Sequence, residues 1–131
     1  MPEFLSEIWL RDLDRSVQAA AGVSAPAAIV IEQVVHDVPG RGEVRYQLRV
    51  DAEGARVIAG ESTVRADVRL TTDYGTAVAI ARGEENAQIA LAHGRLRLGG
   101  NIDTLVRSAS ALGALDDATA GLRGETTYPS P

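Results

Sequence analysis

The clearest structural signal in the chain is the segment of residues 43–60, which reads EVRYQLRVDAEGARVIAG. Apolar and polar residues alternate through its first half, so a strand there would have one buried face and one wet face. Residues 52–54 are typical of a short hairpin loop, because Gly54 can adopt the positive φ that such a turn requires. The segment therefore predicts two antiparallel strands, over residues 43–51 and 55–60.

Three further strands are predicted around this hairpin. Residues 28–37 contain five β-branched side chains, which favours a mostly buried strand. Residues 66–71 alternate again between apolar and polar, and residues 95–98 (RLRL) predict a brief fifth strand. Short links between consecutive strands predict an antiparallel meander.

Helical periodicity occupies most of the remaining chain. Apolar spacing predicts a helix from residue 6 to residue 20 or 21 and two short helices over residues 74–82 and 84–93. A last helix is predicted from Ile102, and Gly113 is expected to break it because glycine weakens a helix interior. This order of elements predicts an α+β fold with helices on one face of the sheet.

Composition places the chain among ordinary globular proteins. Of its 131 residues, 45% are hydrophobic and 24% are charged. One domain is predicted over residues 1–131, with a core at about 4–123 and a polar, proline-rich, mobile tail over 124–131. The absence of cysteine excludes disulfides, thiolate catalysis and cysteine-based zinc sites.

Charge and hydropathy narrow the choice of partners. The net charge is −5 and the arginines are interleaved with acids, unlike the basic face of a nucleic-acid-binding protein. No apolar run approaches the ~20 residues that span a bilayer, and the N-terminal sequence shows no signal peptide. We therefore expect a cytoplasmic protein without nucleic acid as a partner and without stable membrane insertion.

Three segments together resemble the sterol carrier protein 2 (SCP2) family, specifically its small free-standing bacterial members. They are residues 4–10 (FLSEIWL), residues 66–73 (ADVRLTTD) and residues 81–101, which include ARGE and ALAHGRLRLGGN. The resemblance covers about residues 4–123. It implies a five-stranded, mainly antiparallel sheet whose helices enclose an apolar tunnel for sterols, fatty acids or fatty acyl-CoA, with no shared catalytic motif.

Two departures from the family weaken sterol itself as the ligand. The chain ends in YPSP rather than in a peroxisomal address. It also has one Phe and one Met, whereas family tunnels are often rich in both.

A ligand site is expected on the apolar faces of the helices and strands. The alanine-rich helices allow either close helix packing or unfilled volume, and the family resemblance favours the cavity. The predicted tunnel residues are Trp9, Leu13, Tyr46, Leu48, Val50, Val78, Ala81, Leu91, Leu105, Ala109 and Leu112. A possible head-group site combines the glycines before the last helix with nearby arginines, since a helix N-terminus can hold a phosphate. Its predicted members are Arg95, Arg97, Gly100 and Asn101. The alternative is a plain strand-to-helix turn that needs glycine for its dihedral angles.

Residues suited to catalysis do not form a recognisable set. His36 and His93 each lack a second histidine at metal-ligand spacing, and they are interpreted as a surface residue and a helix C-cap. The adjacent acids 84–85 and 116–117 would point about 100° apart on a helix, which favours solvated faces. No catalytic residue, metal site or cofactor is predicted.

The leading hypothesis is a non-enzymatic lipid-binding or lipid-transfer protein. Its ligand would be a fatty acid, a fatty acyl-CoA or a sterol-like molecule, and the protein would be a monomer or a weak dimer. Two alternatives are a small isomerase or cyclase on the same scaffold and an accessory module that binds a partner protein. The missing acid–base pair counts against the enzyme, and an exposed apolar patch would favour the accessory module.

Overall fold

The computed structural model describes residues 2–19, 28–60, 65–107 and 109–129, without the side chains of residues 102, 105, 107, 109–112 and 114–116. Its elements are α1 (Glu7–Ala19), β1 (Ile29–Val38), β2 (Gly42–Asp51), β3 (Gly54–Ala59), β4 (Val68–Asp73), α2 (Tyr74–Ala81), α3 (Ala87–Ala92), β5 (Leu96–Gly100), α4 (Ile102–Arg107) and α5 (Ala109–Leu122). A 3-10 turn, Arg123–Glu125, follows α5.

The five strands form one sheet in the order β3-β2-β1-β4-β5. The meander of β1, β2 and β3 is antiparallel, and β5 is antiparallel to β4. The central pair, β1 and β4, is parallel. The predicted α+β fold with a mainly antiparallel five-stranded sheet is therefore confirmed.

The core lies between one face of this sheet and the helices. Trp9, Leu13 and Val17 follow one another at steps of four along α1, and all are at most 2% exposed. They belong to one apolar cluster with strand residues such as Ile31 and Leu48. The apolar face of α1 and the apolar face of the sheet therefore pack together in one core.

The opposite face of the sheet carries a lattice of charged side chains. Glu32 on β1 is 8% exposed and accepts hydrogen bonds from Arg45 on β2 at 3.1 Å and from Arg69 on β4 at 3.2 Å. The long arginine side chains cover this face, which explains how Val34 is only 3% exposed there. Alternation within each strand therefore separates an apolar face from a paired, charged one.

The predicted break at Gly113 is wrong. Gly113 lies inside α5, which is continuous from Ala109 to Leu122. An interior glycine costs only about 1 kcal/mol relative to alanine, which a fourteen-residue helix tolerates. Glycine alone is therefore a weak signal for a helix end.

The C-terminal segment, for which the sequence predicts mobility, forms hydrogen bonds with the N-terminal segment, α1 and α2. Thr127 bridges to Glu3, with Phe4 N donating to Thr127 O at 2.8 Å. Thr126 Oγ1 accepts a hydrogen bond from Trp9 Nε1 at 3.1 Å, and Tyr74 donates its hydroxyl to Pro129 O at 2.6 Å. These hydrogen bonds connect residues 126–129 to the N-terminal part of the chain and to α2, and residues 130–131 lie outside the described part.

One carboxylate fastens α1 to the edge of the sheet. Asp14 accepts a hydrogen bond from Val57 N at 2.8 Å and another from Arg56 Nε at 3.2 Å. Partial burial by itself would raise the pKa of Asp14, but the hydrogen bonds from Val57 and Arg56 outweigh it and lower the pKa from 3.8. The ionised form is therefore the one that the fold stabilises.

The carboxyl group of Asp14 binds a proton more tightly in the unfolded chain than in the folded protein. We therefore expect the contact to stabilise the fold above pH ~4, and we expect this contribution to disappear as the pH falls through the lowered pKa. Asp14→Asn should lower the free energy of unfolding at pH 7 by about 1–2 kcal/mol, since it removes a charged acceptor. Urea unfolding of both proteins at pH 7 and pH 3 tests this. The difference between them should shrink at pH 3; an equal difference at both values would contradict the assignment.

Candidate functional site

A cavity of about 660 Å³ lies between the sheet and the helices. Its floor is formed by side chains of four strands: Gln33, Val35, Tyr46, Leu70, Thr72, Leu96 and Leu98. Its walls come from the N-terminal segment (Phe4, Leu5 and Trp9), from α2 (Ala77, Ile80 and Ala81), from α3 (Ala87, Gln88 and Leu91) and from the end of α5 with the residue after it (Asp117, Thr119, Ala120 and Arg123), together with Glu85 and Asn86. The volume is within the range of small-molecule sites.

Strand register brings the floor residues together. Tyr46, Gln33, Leu70 and Leu98 are paired successively across β2, β1, β4 and β5. Paired residues in neighbouring strands project from the same face of a sheet, so this row points into one space. The floor is therefore a consequence of the alternation together with the order of the strands.

The inner wall is largely apolar, and the small residues of α2 leave the space open. Phe4 and Trp9 are 5% and 2% exposed and meet edge to face, with ring centroids 4.8 Å apart. Ala77 and Ala81 face the floor from α2 with a single methyl group each. A hydrophobic chain in this space would contact aliphatic and aromatic surface, which is favourable by removal from water.

The exposed lining residues mark the mouth of the cavity, between the loop before α3 and the end of α5. They include Asn86, Gln88 and Asp117. Glu85 is paired with Arg95 at this edge. Arg123 donates a hydrogen bond from Nε to Ala81 O at 2.7 Å, which holds its guanidinium beside the end of α2. An apolar interior with a polar rim suits an amphipathic ligand.

Gln33 is a polar side chain within the floor. Among the residues that the structure describes, none forms a hydrogen bond with its amide group. Thr72, the neighbouring polar residue of the floor, donates its hydroxyl to Arg95 O at 2.7 Å and is satisfied within the protein. Gln33 is half-buried, so its amide can bond to solvent or to whatever fills the cavity, and a ligand that covered the amide without bonding it would lose about 1–3 kcal/mol.

The structure separates the predicted tunnel residues into three groups. Trp9, Tyr46, Ala81 and Leu91 line the cavity. Leu13, Leu48 and Val50 are buried in the packed core without lining it, and Val78 is partly buried against that core. For Leu105, Ala109 and Leu112, the side chains lie outside the described part.

The sequence pattern missed several lining residues. Periodicity shows which residues point inward, but not which of them meet a cavity instead of another side chain. Leu96 and Leu98 alternate on β5 and could have been included on that signal. Gln33 could have been found as the polar residue that interrupts the buried face of β1, between Ile31 and Val35.

The four predicted head-group residues do not converge. Arg97 alternates with Leu96 and Leu98, so it lies on the face opposite the cavity. Gly100 has φ +97°, and an added Cβ would collide with Asp67 O. Asn101 accepts a hydrogen bond from Thr104 N at 3.2 Å, and Arg95 is paired with Glu85 at the mouth. This geometry favours the plain strand-to-helix turn.

The histidines and paired acids occupy structural positions. His93 is the C-cap of α3, and His36 Nδ1 lies 3.2 Å from a carboxylate oxygen of Glu43 on the surface. Glu84 pairs with Arg82 at 3.3 Å. Within the described ranges, no three His, Asp or Glu residues are placed to bind a metal ion.

Comparison with known proteins identifies one family. A model described as the SCP-2 sterol transfer family matches residues 10–113. None of the curated protein sequences matches the chain. No helix in the described segments is both long and apolar enough to cross a membrane.

Several solved structures share the fold at low sequence identity. A conserved hypothetical protein of Thermus thermophilus, described as a possible sterol carrier protein, has 23% identity and a TM-score of 0.72, with 99% of this chain and 94% of that chain covered. A crystal structure of sterol carrier protein 2 has 22% identity and a TM-score of 0.68, with 90% and 98% covered. The palmitated sterol carrier protein 2 like 2 of Aedes aegypti has 18% identity and a TM-score of 0.60, with 80% and 90% covered.

Proposed function

Because the chain belongs to the SCP-2 sterol transfer family, we propose that it is a non-enzymatic carrier that holds a single-chain lipid, a fatty acid or a fatty acyl-CoA, in the cavity beneath its sheet. The observation that carries this proposal is the cavity of about 660 Å³, with its apolar inner wall and polar mouth. A palmitated relative with the same fold gives independent support for an acyl chain as the ligand.

The apolar wall supplies the affinity in this proposal. Each methylene removed from water contributes about 0.8 kcal/mol, so a long acyl chain needs no charged partner inside the cavity. Phe4, Leu5 and Trp9 are already buried and provide a wall that requires little ordering on binding. Affinity should therefore depend mainly on chain length.

The polar mouth accommodates the head group. Arg123 lies on the rim and is exposed, so its guanidinium can meet a carboxylate or phosphate without being buried. Its hydrogen bond to Ala81 O limits its motion. The tail would enter between α3 and α5, and the head group would remain near solvent.

The chemistry of the lining supports a carrier rather than an enzyme. The carboxylates of the described lining, Glu85 and Asp117, lie at the mouth, and Glu85 is paired with Arg95. Neither is positioned next to a histidine or lysine that could complete an acid–base pair, since no histidine or lysine lines the cavity among the described residues. This lining supports a carrier role for the protein.

Titration with saturated fatty acids of 8 to 18 carbons tests the proposal. Trp9 lines the cavity and is the one tryptophan in the sequence, so its fluorescence reports occupancy directly. We expect the dissociation constant to fall by up to about fourfold per added methylene until the cavity is full. Binding that is independent of chain length, or a Trp9 signal that never changes, would contradict a chain-binding cavity.

A further inference from the structure

The middle of the central strand breaks the apolar pattern of the buried face. On β1 the inward positions are Ile29, Ile31, Gln33 and Val35, and the three apolar members are at most 9% exposed. Gln33 is paired with Tyr46 on one side and with Leu70 on the other, so its amide stands in the centre of the floor. An apolar residue at this position would complete the wall; glutamine instead adds a polar group to it.

The chemistry of that group is specific. An amide offers two N–H donors and a carbonyl acceptor, so it can donate to and accept from the same hydroxyl group. The amide of Gln33 is not used by any residue that the structure describes, whereas the hydroxyl of Thr72 beside it is bonded to Arg95 O. A plain alkyl chain that displaced water from Gln33 would leave the amide unpaired.

From these observations we infer that the preferred ligand is an oxygenated chain, with a hydroxyl group along the acyl chain that hydrogen-bonds to Gln33. The inference rests on the proposed lipid-carrier function and specifies its ligand class. One polar end of the ligand lies at the mouth and a second polar group meets the floor. A site that hydrogen-bonds a hydroxyl rejects the analogue that lacks it more strongly than an apolar site rejects an added hydroxyl.

The test compares stearate with a series of hydroxystearates whose hydroxyl lies at successive positions along the chain. Displacement of a fluorescent fatty acid gives each dissociation constant for the wild-type protein and for Gln33→Leu. At least one hydroxy isomer should bind the wild type about tenfold or more tightly than stearate. In Gln33→Leu the order should reverse, since leucine completes the apolar wall for stearate.

The control is Thr71→Val, a polar-to-apolar exchange on the neighbouring strand. Thr71 lies on the opposite face from Leu70 and Thr72 by alternation and does not line the cavity. It should leave the preference for the hydroxy isomer unchanged. Circular dichroism shows whether both variants are folded. If Gln33→Leu is not folded, the inference is tested by whether the wild-type protein binds one hydroxystearate isomer more tightly than stearate.

Two outcomes separate this inference from the function on which it rests. If the wild type binds saturated chains according to length but shows no preference for any hydroxy isomer, the role of Gln33 is wrong and the carrier function stands. A preference that survives in Gln33→Leu also overturns the role of Gln33. If no chain of either kind binds, the carrier function itself is wrong.

Discussion

Leu48→Ala is expected to lower the free energy of unfolding by about 2–5 kcal/mol. Leu48 is 1% exposed at the centre of β2, paired with Ile31 on β1 and Val57 on β3. Those two residues are themselves 0% and 5% exposed, so water cannot reach the space that the removed atoms leave. The loss should approach the upper part of this range if the surrounding strands cannot close the space. Urea denaturation measures it.

Leu91→Ala provides the matched comparison, since it removes the same atoms at the mouth of the cavity. Leu91 is 42% exposed, so its truncation should cost less than about 1 kcal/mol. Leu48→Ala should leave the chain-length preference of lipid binding unchanged, because Leu48 does not line the cavity. A loss below half a kcal/mol for Leu48→Ala, accompanied by altered lipid binding, would place Leu48 on a cavity wall instead of in the packed core.

Ala77→Phe is expected to weaken binding of 16- and 18-carbon fatty acids by tenfold or more. Ala77 is partly buried on α2 and lines the cavity, so a phenyl ring there occupies space that a chain would use. Excluding two methylenes already corresponds to about a tenfold change in affinity. Shorter chains of 8 to 10 carbons should still bind, so the optimum length should move down. Isothermal titration calorimetry across the series measures this shift.

Ala79→Phe is the control for a bulky residue on the same helix. Ala79 is partly buried beside Gly83 and Glu84, in a shallow surface depression outside the cavity lining. It should leave the optimum chain length where it is in the wild type. A loss of binding that is uniform over all chain lengths in Ala77→Phe would indicate damage to the fold, and an unchanged optimum would show that lipid does not lie against α2.

The sequence was informative where a local pattern has one structural solution. Strict alternation at residues 43–51 placed Tyr46, Leu48 and Val50 on one face of β2 because side chains of a strand point to opposite sides in turn. The hairpin at Gly54, whose φ is +139°, followed from the conformations that only glycine adopts readily. Neither depends on what lies far away in the chain.

Long-range pairing was beyond these patterns. Alternation assigns residues to a face but does not choose a neighbouring strand, so the parallel pairing of β1 with β4 could not be read from either strand. The docked position of Thr126 likewise depends on Trp9, a partner 117 residues away. Local composition predicted mobility there because it contains no information about that partner.

The candidate site illustrates the same limit. Trp9 and Leu13 are equivalent in the periodicity of α1, yet Trp9 lines the cavity and Leu13 belongs to the packed core. The difference arises from which residue lies opposite each of them across the helix–sheet layer. Only the assembled register of β1, β2, β4 and β5 determines where side chains fail to fill the space, and hence where a ligand can bind.

The pairing of Glu3 with Thr127 also constrains the order in which the protein can be completed during synthesis. Contacts across such a long stretch carry a large loop-closure entropy and form late. On a ribosome, the strands and α1 emerge before Thr126 and Thr127, the C-terminal hydrogen-bond partners of Trp9 and Phe4, have been made. The nascent chain can therefore build its sheet early, but the N-terminal wall of the cavity is fixed only after residue 127 has left the exit tunnel.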